Sequence, residues 1–312
     1  MTRREHLRNF AFMAVFLAVL VVLPFRVGVY YRSFFMFTMM WAVLALSWNM
    51  ISGYTGYISF GHVVFYGVGS YASAILVADY GWHWILTLAV AGAIGMAAAI
   101  VIGYPVLRLK GPYFAIAMLG AAEGTRVLVT VWDSLTHGGL GIIMPNLENS
   151  METYFAMLLL MFATIGVSYW VGHSRFGIRL NAIREDEVAA EVLGINTTAY
   201  KLSAFSISAL FPAIAGGIQA NKTLYVNPDN EFFLTITITM TLMAMFGGKG
   251  TVVGPVIGAI LLYIMQEILW VKFPFFHLIL FGIFLILVAR FMPRGIVGFV
   301  VNRGWVRKGM VH

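Results

Sequence analysis

The chain has 312 residues, of which 61% are hydrophobic and only 11% charged, and its mean hydropathy is +0.87. A soluble domain carries about a quarter charged residues, so a water-soluble globule is excluded. The net charge of +7 calls for no nucleic acid, because membrane proteins gather Lys and Arg in cytoplasmic loops. The absence of cysteine removes disulfides and thiolate metal sites.

Apolar runs of about 18 to 22 residues recur from end to end, each able to cross ~30 Å of hydrocarbon. The short alternating segments of a membrane barrel are absent. The sequence therefore predicts an all-α polytopic integral membrane protein of about ten transmembrane helices. Thr2 to Asn9 is basic and Phe10 to Leu23 apolar, as in a secretory signal, but no small-x-small cleavage site follows. It reads as a retained first span. Spans are expected near residues 10–30, 33–52, 62–79, 84–106, 113–131, 153–172, 201–220, 232–246, 252–271 and 275–292. Arg3, Arg4, Arg8, Arg108, Lys110, Arg175, Arg179, Arg184, Lys201, Lys249, Arg290, Arg294, Arg303, Arg307 and Lys308 then share one side. Only Arg26, Arg32, Lys222 and Lys272 take the other. That asymmetry puts both termini in the cytoplasm. The outer side carries Tyr80, Trp82, Trp84, Trp132 and Trp270, aromatic groups suited to the headgroup level. The longest outer connection, Asp133 to Glu152, holds His137, Asn146 and Asn149 and no Lys or Arg. A surface for a binding protein and an idle loop read alike there.

The stretch Gly53 to Tyr71 has glycines at 53, 56, 61, 67 and 69. Glycines at membrane depth suit either close helix packing or a broken helix that lines a substrate path. Gly56, Ser59, Gly61 and His62 are path candidates on the second reading. His62 has no second His or carboxylate at metal-ligand spacing, so no metal site or cofactor is expected. Glu123 and Arg126 stand at i, i+3 inside the fifth span. Charges there are costly unless paired or wet. They read as a structural ion pair, with a path role as the alternative.

Between two apolar runs lies a polar island, His173 to Lys201, with Arg184, Glu185, Asp186, Glu187 and Glu191. Leu180, Ile183, Val188 and Val192 recur at loosely helical steps, and Gly194 stands where a helix stops. A surface helix that docks a partner and a solvated connector both fit. In Gly247 to Ala259, Lys249 lies among glycines. A phosphate loop needs G-x-x-x-x-G-K followed by Ser or Thr, but here Gly250 follows the lysine and Met243 takes the first glycine's place. A tight inner turn is expected, and the two Gly-rich stretches, one per half, suggest an internal pseudo-repeat. No H-E-x-x-H, nucleophile elbow or dinucleotide fingerprint occurs, so an enzyme is not expected.

Several motifs together carry a family resemblance. They are Gly56-Tyr57-Ile58-Ser59-Phe60-Gly61-His62, Leu107-Arg108-Leu109-Lys110-Gly111-Pro112-Tyr113-Phe114-Ala115-Ile116 and Ser174-Arg175-Phe176-Gly177. Ala182-Ile183-Arg184-Glu185-Asp186-Glu187, Ala189-Ala190, Leu193-Gly194-Ile195-Asn196, and Gly247-Gly248 with Gly250-Thr251 and Gly254-Pro255 complete them. Over roughly Trp41 to Arg294 the chain resembles the LivM-type permease subunits of branched-chain amino acid importers of the ATP-binding-cassette class. The resemblance implies one transmembrane permease domain over residues 1–312, in a bacterial plasma membrane, with 173–201 as its cytoplasmic coupling loop. It implies a second homologous permease subunit, two cytoplasmic ATP-binding subunits and an extracytoplasmic substrate-binding protein as partners. It implies that Arg184, Glu185, Asp186, Glu187, Ala189, Ala190 and Gly194 meet the ATP-binding subunits. Two departures stand out. The docking loops of the wider importer family carry E-A-A-x-x-x-G, whereas Val188 precedes Ala189-Ala190 here and Glu187 lies one place earlier. Thr136-His137-Gly138-Gly139 replaces an expected T-G-G. Permeases for urea or short amides look similar, and an ion-gradient transporter using Glu123 and Arg126 is the rival class.

Overall fold

The computed structural model describes residues 20–145, 150–273, 276, 279, 282–283, 286 and 295–302. Among these, seven segments are long and apolar enough to cross a membrane, one of them, Pro228–Gly247, built from two helices, and the chain is an all-α polytopic membrane protein. Its main helices are α1 (Val29–Thr55), α2 (Val63–Ala78), α3 (Trp84–Val106), α4 (Pro112–Val131) and α5 (Ser150–His173). Next come α6 (Arg175–Glu185), α7 (Glu187–Val192), α8 (Thr197–Thr223), α9 (Leu234–Gly247), α10 (Val253–Lys272) and α11 (Gly295–Asn302). Residues 10–19 of the expected first span, most of 275–292 and both chain ends, including Arg3, Arg290 and Lys308, lie outside the described residues, as do Asn146 and Asn149.

The helix ends follow local chemistry. Gly56 closes α1 in the left-handed conformation, φ 77°, which a side chain would resist. Pro112 starts α4 at a position that needs no N–H donor. Asn196 caps α8, its side chain accepting from Ala199 N at 3.0 Å. That cap starts the helix four residues before the expected Lys201, because the polar first turn hides the boundary from an apolar count.

Burial sorts the helices into layers. Of the apolar stretch, 78% is buried in α1 and 67% in α8, against 17% in α4. α1 packs on α5, α8, α9 and α10, and α8 packs on α2 and α3. The core between them is Met- and aromatic-rich, with Met36, Met40, Trp48, Tyr154 and Met240 buried together. α4 therefore turns most of its surface to lipid or to another subunit. The α2–α8 contact brings backbones together: a Cβ on Gly69 would lie 2.0 Å from Ala213 O, and one on Gly216 2.1 Å from Tyr66 O. Small residues permit this approach.

The island marks one end of the bundle, the end expected to face the cytoplasm. Leu107, the Gly247–Val252 turn and the start of α11 gather at that end. The other end is stitched by β1 (Ile142–Ile143), which pairs antiparallel with β2 (Tyr225–Val226). Lys222 Nζ donates to Ser150 Oγ there at 3.2 Å, and Trp84 Nε1 to Glu152 at 3.0 Å. The described parts of the expected long outer connection thus form a cover, held by a strand pair too short to show periodicity.

Two spans are broken. α2 has 16 residues, about 24 Å of helix, and α9 has 14, about 21 Å. Each falls short of ~30 Å of hydrocarbon. Gly56–His62 runs without helix into the bundle before α2, and Tyr225–Phe233 does the same before α9, with one short turn at Pro228–Glu231. The breaks meet, since Val63 N donates to Thr237 Oγ1 at 3.0 Å in the first turn of α9. The Gly53–Tyr71 stretch is thus both interrupted and closely packed. The second interruption precedes α9, whereas the Gly247–Val252 stretch forms the expected tight turn.

Candidate coupling site

The island folds as two short helices joined at Asp186. Ser174 caps α6 by accepting from Gly177 N at 3.3 Å. Asp186 ends α6 in extended backbone, φ −157°, and its Oδ1 accepts from Val188 N at 2.9 Å and Ala189 N at 3.0 Å. A carboxylate at that position suits the positive end of α7. The break at Asp186 corrects the single apolar face expected from spacing. Leu180 and Ile183 face inward at 0% and 3% exposure, while Val188 and Val192 face outward at 60% and 82%. Gly194 adopts φ 83° after α7, as the expected stop signal requires, and Ile195 N returns to Ala190 O at 3.0 Å.

Behind α7 lies a buried charge network. Lys201 Nζ donates to Glu187 Oε1 at 2.7 Å, to Tyr57 Oη at 3.0 Å and to Leu107 O at 3.1 Å. All three ammonium protons are thereby used. Tyr57 Oη donates to Glu187 Oε2 at 2.5 Å. Side-chain exposure is 3% for Lys201 and 14% for Glu187. Burial alone pushes the Glu187 carboxyl up, but hydrogen bonds from Lys201 and Tyr57 outweigh it and hold the group below its ordinary value. Thr197 Oγ1 donates to Glu191 at 2.6 Å, closing the front of the network. One point thus joins α7, the broken segment after α1, the end of α3 and the first turn of α8.

A second anchor lies under α6. Arg184 Nη1 donates to Gly53 O at 3.1 Å and Nη2 to Glu185 at 3.1 Å. Asn49 donates to Thr251 O at 2.9 Å and accepts from Gly250 N at 2.7 Å. The two Gly-rich stretches and the island are therefore interlocked at one end of the bundle. Of the residues singled out from sequence, Ala190 is buried, Glu187 is half-buried, and Arg184, Glu185, Asp186, Ala189 and Gly194 are exposed, Arg184 while still bonded to Gly53 O.

The path candidates divide. Ser59, Gly61 and His62 are buried in packed structure. Ser59 O accepts from Trp48 Nε1 at 2.9 Å, and a Cβ on Gly61 would lie 2.1 Å from Met118 O. His62 stands edge-on to Phe65, with ring centres 5.2 Å apart. Gly56 lies against the stem of Arg184. Glu123 and Arg126 form the expected pair at 2.5 Å, and Arg126 also reaches Asp229 at 2.7 Å. These three acid–base groups line a cavity of about 470 Å³ with Phe232 and Leu234. Pairing of this kind is what makes charges tolerable within a span.

Sequence reasoning missed Tyr57 and Leu107 O as partners of the island, and Asn49 as partner of the Gly250–Thr251 turn. Lys201 was assigned a side but no role. Its signal was a lone lysine at the start of an apolar run, where only a buried acid makes the charge tolerable.

The comparisons with known proteins agree with this architecture. Residues 30–289 match the family described as branched-chain amino acid transport system / permease component. The chain is 29% identical to the high-affinity branched-chain amino acid transport system permease protein LivM of Salmonella typhimurium, over 91% of this chain and 74% of that protein. It is 28% identical to the corresponding permease protein LivH of Escherichia coli, over 83% of this chain and 91% of that one. A probable LivM of Methanocaldococcus jannaschii is 24% identical over 68% of each chain. No solved structure matches the chain. The chain is a multi-pass plasma-membrane transport subunit and belongs to the family of branched-chain amino acid transport system permease components.

Proposed function

We propose that this chain is the membrane gate of an importer for leucine, isoleucine and valine, worked from the cytoplasm by ATP-binding subunits that dock on its island. A second, homologous permease completes the gate, and an extracytoplasmic binding protein delivers the substrate at the outer cover. The family membership supports the transport role and the cargo class. The observation that carries the coupling role is the two-sided construction of α7. Its outer face presents Val188, Val192 and Leu193, the last 79% exposed. Its inner face is tied by the Glu187–Lys201–Tyr57 network to three transmembrane elements. An apolar face on water is a docking surface, and a rigid anchor passes displacement from it to the spans. Movement of α7 would pull on the broken segment Gly56–His62 and on the start of α8 together.

Val192→Asp tests this, because it leaves every contact behind α7 intact. Leucine uptake by the assembled importer should fall on the order of tenfold or more, as expected when a buried interface residue becomes charged. The thermal midpoint of the purified subunit should not move. Uptake at the wild-type rate would remove α7 from the coupling path. Arg184→Glu, which reverses charge under α6, should also uncouple uptake while the chain still inserts.

A further inference from the structure

A cavity of about 580 Å³ lies in the outer half of the bundle, next to the one holding Glu123, with which it shares Asn230. Met40, Trp41, Tyr66 and Ile236 form its apolar wall, and Gln219, Asn230 and Glu231 its polar end. Gln219 stands in the last turns of α8, at the outer end. Glu231 lies in the broken segment before α9, and only 5% of it is exposed.

Glu231 Oε2 and Gln219 Oε1 are both buried and make no hydrogen bond within the bundle; the Ser70 hydroxyl lies close to the Glu231 carboxyl but is itself unpartnered. A buried carboxylate oxygen without a donor is costly, and such groups within a membrane span mark function more often than fold. Two unpartnered acceptors at one end of a cavity call for a ligand that brings several donors. The opposite wall calls for a branched or aromatic hydrocarbon. We infer that this cavity holds the transported amino acid in transit, its α-ammonium on Glu231 and Gln219 and its side chain against Met40, Trp41 and Ile236. The inference rests on the transport reading above and assigns the residues that touch cargo. The volume lies within the roughly 300–1,000 Å³ typical of small-ligand sites. The site belongs to the break before α9, which meets the start of α2 at Thr237 and Val63.

Glu231→Gln keeps the shape and removes the charge. In the complete importer, leucine uptake by this variant should fall roughly ten- to a hundredfold, the loss expected for one charge-assisted hydrogen bond. ATP hydrolysis stimulated by the binding protein should persist, which shows assembly. Uptake equal to wild type would overturn the assignment. If the wild-type importer itself takes up no leucine, the transport reading fails; wild-type uptake with an unaffected variant overturns this site alone. A second measurement keeps Glu231 in place. The chain has no cysteine, so Thr223→Cys at the cavity edge can be labelled with a maleimide in the assembled importer. Leucine and isoamylamine, which carry the amine, should slow labelling of this subunit, and 4-methylpentanoate, which lacks it, should not. Equal protection by 4-methylpentanoate, or none by leucine, would overturn the assignment.

Discussion

Lys201→Met is expected to destabilise the folded subunit by about 3–5 kcal/mol, the cost of leaving one charge of a buried pair without its partner. Glu187 would then be a carboxylate at 14% exposure with Tyr57 Oη as its remaining strong donor. Leu107 O and Tyr57 Oη would lose the ammonium that holds the end of α3 against the island. The double variant Glu187→Gln with Lys201→Met removes both charges, and its destabilisation should be smaller than the sum of the singles. Thermal unfolding of the purified protein in one detergent measures all three. Additive losses would show that the pair does not act as a unit. The same pair sets an acid dependence. Glu187 is held below its ordinary value, so its contribution is fully present above the carboxyl's unfolded pKa, near ~4.3. It is lost as pH falls through the folded value. A midpoint that falls below about pH 4 in wild type but less in Glu187→Gln is the expected signature.

Gly216→Val should be as damaging, for a different reason. A Cβ at that position would lie 2.1 Å from Tyr66 O and 3.0 Å from Ser70 N, both backbone atoms of α2. Overpacking a well-filled core typically costs 1–3 kcal/mol when side chains can give way. Here the obstacle is a helix backbone, and Gly69 stands equally close to Ala213 O on the return side. The helices must separate, so the loss should reach about 3 kcal/mol or more. The separation would also disturb Tyr66, which lines the inferred cargo cavity. Detergent-stable protein recovered after heating is the measurement, and a wild-type melting profile would show that α2 and α8 do not pack as described.

Much of this was legible before the structure. Runs such as Ile85–Ile102 announce a membrane span by length alone, and the sides assigned by Arg108, Arg184 and Lys249 agree with the end at which the structure gathers those segments. Gly194 was readable as a helix stop because only a residue without Cβ takes φ 83° freely. The break at Asp186 was not readable, because Leu180, Ile183, Val188 and Val192 keep a helical step across it. A side chain that caps a new helix looks the same in sequence as one on a solvated face. Contacts between distant segments were also invisible. Nothing in the spacing links Tyr57 to Glu187 or Asn49 to Gly250, since each pairing is made by the packing of whole helices. Glu231 escaped notice because a Pro-Asp-Asn-Glu turn reads as a polar loop, whereas its glutamate is enclosed between spans.

The account stands on a passive gate driven from outside the chain. Liposomes containing this subunit, its partner permease and the ATP-binding subunits, with binding protein outside, can be loaded with ATP and given labelled leucine. Accumulation should require internal ATP and all the subunits, and should vanish when this chain is reconstituted alone. Concentration of leucine by the lone chain under nothing but a proton or sodium gradient would contradict it.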